Sequence, residues 1–240
     1  MRKQADYIPG DLESIKHAAK KEPYYKGMEI IKGLNYEVED YIQYFPCFTG
    51  SQTISRYLSF YECYKSTLGK AGHLAEVGIY KGASMLFFAK MLQIFEPNSF
   101  TQVHGFDWFL GNAPTEGEEN IVPNADMESY ERLMALINAQ GLDNIVKVHK
   151  LDVITELTAF FEKYPHLQFK MVFLDAGMYE VVKAALPFFW SRLVKGGILI
   201  LDQYNYDISP GETRAVKEFL PDVEINTFPW GWMPTAYIVK

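Results

Sequence analysis

The sequence predicts an α/β fold: an open, doubly wound, mostly parallel sheet of seven strands with one antiparallel C-terminal strand, plus a helical N-terminal appendage. Three observations carry this. From Gly72 onward, short apolar runs alternate with stretches whose apolar residues recur at helical spacing. Gly197 to Leu201 is continuously apolar, as expected of a strand buried on both faces. The stretch Leu74-Ala75-Glu76-Val77-Gly78-Ile79-Tyr80-Lys81-Gly82-Ala83-Ser84 reads as a strand, a tight glycine loop and the start of a helix.

Residues 1–70 read as the appendage and 71–240 as the main domain. The appendage is rich in Lys, Glu and Tyr and shows no β run. Leu12, Ile15, Ala18 and Ala19 fall at helical spacing. So do Ile54, Tyr57, Leu58, Tyr61 and Tyr64, with Ser51 or Thr53 as N-cap. His73 to Val77 is then the first strand. Ser84 to Phe95 is a helix stopped before Pro97. Thr101 to Phe106 is the second strand. Asp107 to Ala125 follows as a long polar loop, a length typical of lids and binding loops. Asp126 to Gln140 is an amphipathic helix with Gly141 just past its end. Asn144 to His149 is the third strand, Thr155 to Tyr164 a helix, and Phe169 to Leu174 the fourth strand. Tyr179 to Leu193 is a helix that Pro187 should kink or split. Gly197 to Leu201 is the fifth strand and Glu212 to Leu220 a helix. Val223 to Phe228 and Ala236 to Val239 form a hairpin around Pro229-Trp230-Gly231-Trp232.

Composition narrows the function classes. A chain of 240 residues with 48% apolar content fits one large domain and its appendage. A net charge of −7 without a basic run argues against nucleic acid and anionic membrane surfaces as partners. Cys47 and Cys63 are too few for a disulfide framework or a zinc site. A reducing, cytoplasmic compartment is the expectation, since the N-terminal charges precede no apolar leader and no stretch reaches the ~18 apolar residues of a membrane span.

The glycine loop is neither Gly-x-Gly-x-x-Gly nor a loop ending in Gly-Lys-Ser/Thr, so it suits a pyrophosphate poorly. An acid at the strand end repels phosphate but accepts hydrogen bonds from an ammonium or a hydroxyl. S-adenosyl-L-methionine (SAM) has an amino acid and a sulfonium and no phosphate, and it matches that chemistry. Ligands of open α/β sheets bind beyond the carboxyl ends of the strands. Glu76, Asp107, Asp152, Asp175 and Asp202 all fall at or just past those ends. Asp107 is placed to take both ribose hydroxyls, and Asp152 the adenine amino group. Gly78, Tyr80, Gly82, Ser84, Trp108 and Asp175 complete the candidate cofactor-binding set. Asp175, Asp202 and Gln203 are candidate ligands for one Mg²⁺, a hard cation that takes carboxylate and amide oxygens.

These residues together resemble a class I SAM-dependent methyltransferase, and within that class the macrocin O-methyltransferase (TylF-type) family. The resemblance runs from about Thr53 to the C-terminus. It is carried by Glu76 to Ser84, Gly105-Phe106-Asp107-Trp108-Phe109, Phe173-Leu174-Asp175-Ala176-Gly177-Met178-Tyr179-Glu180, Gly196 to Tyr204, and Pro210-Gly211 followed by Arg214-Ala215-Val216 and Phe219. It implies methyl transfer to the hydroxyl of a small, sugar-like molecule, with Asp175 as base or metal ligand. The family usually carries a second acid after strand four and another after strand five. Here those positions are Gly177 and Gln203. The catechol-type methyltransferases are similar in setting two Asp and an amide around Mg²⁺, so the metal stays an open alternative.

Other assignments stay open beside these. His149 is a second candidate base. Trp108, Phe109, Trp230 and Trp232 either wall an acceptor pocket or simply pack. The appendage either caps that pocket or mediates a homo-oligomer. Gly177 and Gln203 favour a rival reading, a SAM-binding protein without catalysis. An NAD(P)-dependent oxidoreductase is the other rival, disfavoured by the missing third glycine.

Overall fold

The computed structural model describes residues 23, 25–118, 121–206, 208–231 and 233–240. Leu12, Ile15, Ala18, Ala19 and Trp232 lie outside the described residues. Residues 25–33 are helical. Then come α1 (Val38–Gln43), α2 (Phe45–Phe48) and α3 (Ser51–Ser66). Neither α1 nor α2 contains a buried residue. α3 differs, because its Phe60, Cys63 and Tyr64 are buried in the core of the main domain. Gly50, not Ser51 or Thr53, occupies its N-cap, since Ser51 is already helical.

The remaining elements are β1 (His73–Val77), α4 (Ala83–Phe95), β2 (Val103–Asp107), α5 (Tyr130–Ala139), β3 (Val146–Lys150) and α6 (Val153–Lys163). After them come β4 (Phe169–Leu174), α7 (Tyr179–Arg192), β5 (Leu193–Leu201), α8 (Gly211–Phe219), β6 (Asn226–Thr227) and β7 (Ala236–Val239). The strands form one seven-stranded sheet in the order β3-β2-β1-β4-β5-β7-β6. β1 to β5 are mutually parallel, and β7 runs antiparallel to both neighbours. This is the class and strand count the sequence predicts.

The chain builds β1, β2 and β3 outward in one direction, then returns to place β4 on the other side of β1. The crevice between β1 and β4 is therefore the topological switch point, where ligands of such sheets bind. Alternate strand residues face opposite sides. Leu74, Met171, Phe173, Ile198 and Ile200 pack with α3, α4 and α5. Ala75, Val77, Val172, Leu174, Leu199 and Leu201 pack with α6, α7 and α8. Each fully buried Phe or Leu in these layers contributes about 1.5–3 kcal/mol.

Several boundaries differ from the sequence reading, each for a local reason. α5 starts at Tyr130, four residues later than expected, where the Ser129 hydroxyl accepts the Arg132 N–H at 3.2 Å as its cap. α6 starts two residues earlier, because Asp152 is its N-cap. β5 begins at Leu193, pairing with Phe169 across a register shift; Gly196 takes φ +71° in this stretch. α7 continues through Pro187. One buried polar knot ties three elements together. Lys170 on β4 is fully buried and reaches Glu96 at 2.6 Å, and the Tyr64 hydroxyl donates to the same Glu96 oxygen at 2.7 Å.

Candidate active site

Glu76 is the penultimate residue of β1, level with Gly105 on β2 and Phe173 on β4. It is fully buried. Its Oε1 accepts the Ser84 hydroxyl at 2.5 Å, and its Oε2 has no hydrogen-bond partner. Burial pushes its pKa well above the usual carboxylate range, against the pull of the Ser84 hydrogen bond. A polar oxygen left unpaired in the core is costly, and more so when it is charged. This one belongs to the strand that leads into the glycine loop, and it is the kind of orphan a ligand ammonium satisfies.

The loop's glycine serves the chain itself first. Gly78 has φ +87°, and a Cβ there would collide with the Asp175 carbonyl at the end of β4. The loop thus lies directly against the β1/β4 switch point. Tyr80 also has a positive φ, 50°. Gly82 precedes α4, and a Cβ on it would meet Leu133. From the neighbouring strand, Asp107 braces the loop. Its Oδ2 accepts the Ile79 and Tyr80 N–H groups at 2.8 and 3.1 Å, and its Oδ1 accepts the Phe109 N–H at 2.7 Å. Trp108 is half-buried, with its indole N–H on the Gly111 carbonyl at 2.7 Å.

Asp152 also serves the chain itself. Its carboxylate caps α6, accepting the Ile154 N–H and the Thr155 hydroxyl, each at 2.9 Å. His149 is likewise committed to packing. Its Nε2 lies 3.0 Å from His104 Nδ1, and its ring packs against Phe106 and Phe160. Burial lowers its pKa to about 4. Phe109 is buried in the core beside Tyr130 instead of walling a pocket. Trp230 is half-exposed and donates to the Ser59 hydroxyl at 3.2 Å.

Asp175 follows β4 and Asp202 follows β5, so parallel pairing brings them to adjacent strand ends. Between them stands Arg56 of α3. Its guanidinium donates to Asp202 Oδ1 at 2.5 Å and to Asp175 Oδ2 at 2.9 Å. Its plane lies near the Phe60 and Phe173 rings, at 5.1 and 5.4 Å. Burial works against its charge, yet Asp202 and Asp175 more than offset this and raise its pKa. The expected Mg²⁺ set therefore meets a protein cation. Gln203 does not complete it, because its amide oxygen fills the space a side chain on Gly177 would need. Among the described residues, no group of three or more His, Cys, Asp and Glu side chains could hold a metal. The donor set present does not fit a divalent ion.

Two further acids escaped the sequence reading. Glu212 is fully buried on α8 and accepts the Gln203 N–H at 2.8 Å. Burial, then Asp202, pushes its pKa well up. Glu118, in the long loop after β2, is buried and accepts the Tyr179 N–H at 2.5 Å and the Thr115 N–H at 2.8 Å. It pins that loop to the start of α7. Arg56 was missed as well. Its only sequence signal is a cation set in a Tyr/Phe stripe of a helix.

No helix among the described residues is long and apolar enough to cross a membrane. No curated protein matches the chain in sequence. Among solved structures, the calicheamicin methyltransferase CalS11 is similar over 97% of this chain and 99% of its own, with a TM-score of 0.81 and 19% identity. The apo structure of CalS11, described as a TDP-rhamnose 3'-O-methyltransferase, covers 92% of this chain and 94% of its own, with a TM-score of 0.74 and 20% identity. The O-methyltransferase NovP covers 78% of this chain and 80% of its own, with a TM-score of 0.64 and 18% identity. At these identities the likeness is one of fold. The family model described as a methyltransferase domain matches residues 75–204, which run from β1 to just past Asp202 after β5. The chain belongs to that methyltransferase family.

Proposed function

We propose that this chain is a SAM-dependent O-methyltransferase of the macrocin (TylF-type) kind, acting on a hydroxyl of a small, sugar-like molecule. The observation that carries the cofactor reading is Glu76. A buried carboxylate with one unpaired oxygen, set beside a glycine loop at the switch point, adds nothing to a core strand. It gains a partner when an amino-acid ammonium sits there. Asp107, already accepting three backbone N–H groups, keeps about one of its four lone-pair sites, on Oδ1, for a ribose hydroxyl. Gly78, Tyr80 and Gly82 form the loop against which the cofactor lies, Ser84 holds Glu76 from behind, and Trp108 stands beside Asp107.

When bound, SAM supplies an electrophilic methyl group. The protein's part is to orient the acceptor and take its proton. Orientation alone is worth roughly 7–11 kcal/mol in favourable cases. Asp175, at the rim of β4 and steadied by Arg56, is the residue we assign to receive the hydroxyl proton. The sugar class rests on the resemblance and on the acceptor named for CalS11. Gly177 and Gln203 support a second reading, SAM binding without turnover, because both positions lack an acid.

A panel of nucleotide sugars and glycosides incubated with SAM and the protein tests this, with methyl gain read by mass spectrometry. Methylated product from the wild type, and none from Asp175→Asn with SAM affinity retained, is the expected result. Full activity in Asp175→Asn would remove Asp175 as base. SAM binding without turnover on any acceptor would favour the binding-only reading.

A further inference from the structure

We propose that Arg56 is the resident cation of this site: its guanidinium stands between Asp175 and Asp202 in place of a divalent metal and positions Asp175 for the acceptor. What the cation serves rests on the methyltransferase reading above; its presence does not. Two carboxylates at adjacent strand ends repel each other unless a cation is shared between them. A metal ion is one solution. A guanidinium is another, because its planar fork delivers separate N–H groups to two acceptors at once.

The surroundings are built for the guanidinium. Asp202 is 4% exposed, while Arg56 and Asp175 are 25% and 26% exposed, so the Asp202 side of the pairing is shielded from water and the Asp175 side is open to an acceptor. The Phe60 and Phe173 rings, from α3 and β4, lie near its plane. Gly177 and Gln203 act as a matched pair. The Gln203 amide occupies the room above Gly177, so neither position offers a carboxylate to a metal. Ser209 closes the same corner by donating to the Gly177 carbonyl at 2.9 Å. Arg56 belongs to α3, whose Phe60, Cys63 and Tyr64 are part of the core.

Titration with Mn²⁺, read by the loss of its free paramagnetic resonance signal, tests this without any cofactor. The wild type and Arg56→Lys should leave the Mn²⁺ signal free. Arg56→Met should bind Mn²⁺ at least about tenfold more tightly, because it removes the cation that the two carboxylates share. Adding Asp202→Asn to that variant should abolish the gain. Two results would overturn the proposal: Mn²⁺ uptake by the wild type that Asp202→Asn removes, or no gain in a folded Arg56→Met. Should Arg56→Met fail to fold, the wild-type titration decides. A separate SAM titration distinguishes the two claims, since loss of SAM binding speaks against the methyltransferase reading alone.

Discussion

Ser84 satisfies one oxygen of Glu76, and burial raises the pKa of the carboxyl that holds the other. The folded protein therefore binds this proton more readily than the unfolded chain does. Glu76 contributes most to stability at low pH, and that contribution falls as pH rises past the ordinary glutamate range. Replacing it by Gln removes the buried charge and keeps an acceptor for Ser84. Glu76→Gln should raise apo stability at pH 8 by about 1–2 kcal/mol, read from urea midpoints, while weakening SAM at least about tenfold. A variant that is both less stable and unchanged in SAM affinity would contradict this. Asp107→Ala should also cost at least about tenfold in SAM affinity by calorimetry, since both the ribose contact and the loop brace are lost. Unchanged affinity would take Asp107 out of the site. The places of Glu76, Asp107, Asp175 and Asp202 were readable, because each lies at the end of a strand pattern or within one residue of it. Arg56 was not, because its partners lie 119 and 146 residues away in the chain and leave no local mark. The N-cap role of Asp152 was not readable for a related reason: a strand-end acid and a helix N-cap look identical until the first turn of the helix is placed.

Elements are held together at points the local pattern does not announce. Lys170, Glu96 and Tyr64 join β4, the C-cap of α4 and α3. Lys170 is fully buried, so its partner cannot be removed cheaply. Glu96→Gln should destabilise the protein by about 3 kcal/mol by chemical denaturation, whereas Lys170→Met should cost much less, since it removes the buried charge with its need. Equal costs would contradict the ion-pair account. β4 and β7 match the sequence reading to the residue because short apolar runs with clear ends define them. β5 was read four residues short, since Val194-Lys195-Gly196 carries no apolar run and is strand only through its partners. The loop after β2 was expected as a lid or binding loop. Its Glu118 anchor on Tyr179 N–H depends on a contact across 61 positions, beyond any local pattern.

At the scale of the whole molecule, the sheet's edge at β2 and β3 carries a pH liability. His104 is 5% exposed, and burial, with His149 and His73 beside it, lowers its pKa to about 3. His149 is lowered to about 4. Both must stay neutral in the fold, while an unfolded histidine titrates near 6.5. Their stabilising contribution is complete above that pH and is lost as pH falls toward 3–4. His104 alone should cost about 2 kcal/mol between pH 7 and pH 5. A melting temperature unchanged over that interval would contradict this. Class, strand number and the antiparallel last strand were legible because alternation and the terminal hairpin are local patterns. α3 packs into the same core as α4 and α5 through its Tyr/Phe stripe, the face that a helix of this spacing buries.

At the β1/β4 switch point Arg56 supplies a cation from the chain, and the proposed cofactor would bring another to Glu76. Calorimetric titration with SAM and with its demethylated product, in excess EDTA, tests that most directly. Micromolar binding of both ligands, undiminished by the chelator and lost in Glu76→Gln, is the predicted result. No binding of either ligand, with or without Mg²⁺, would contradict it.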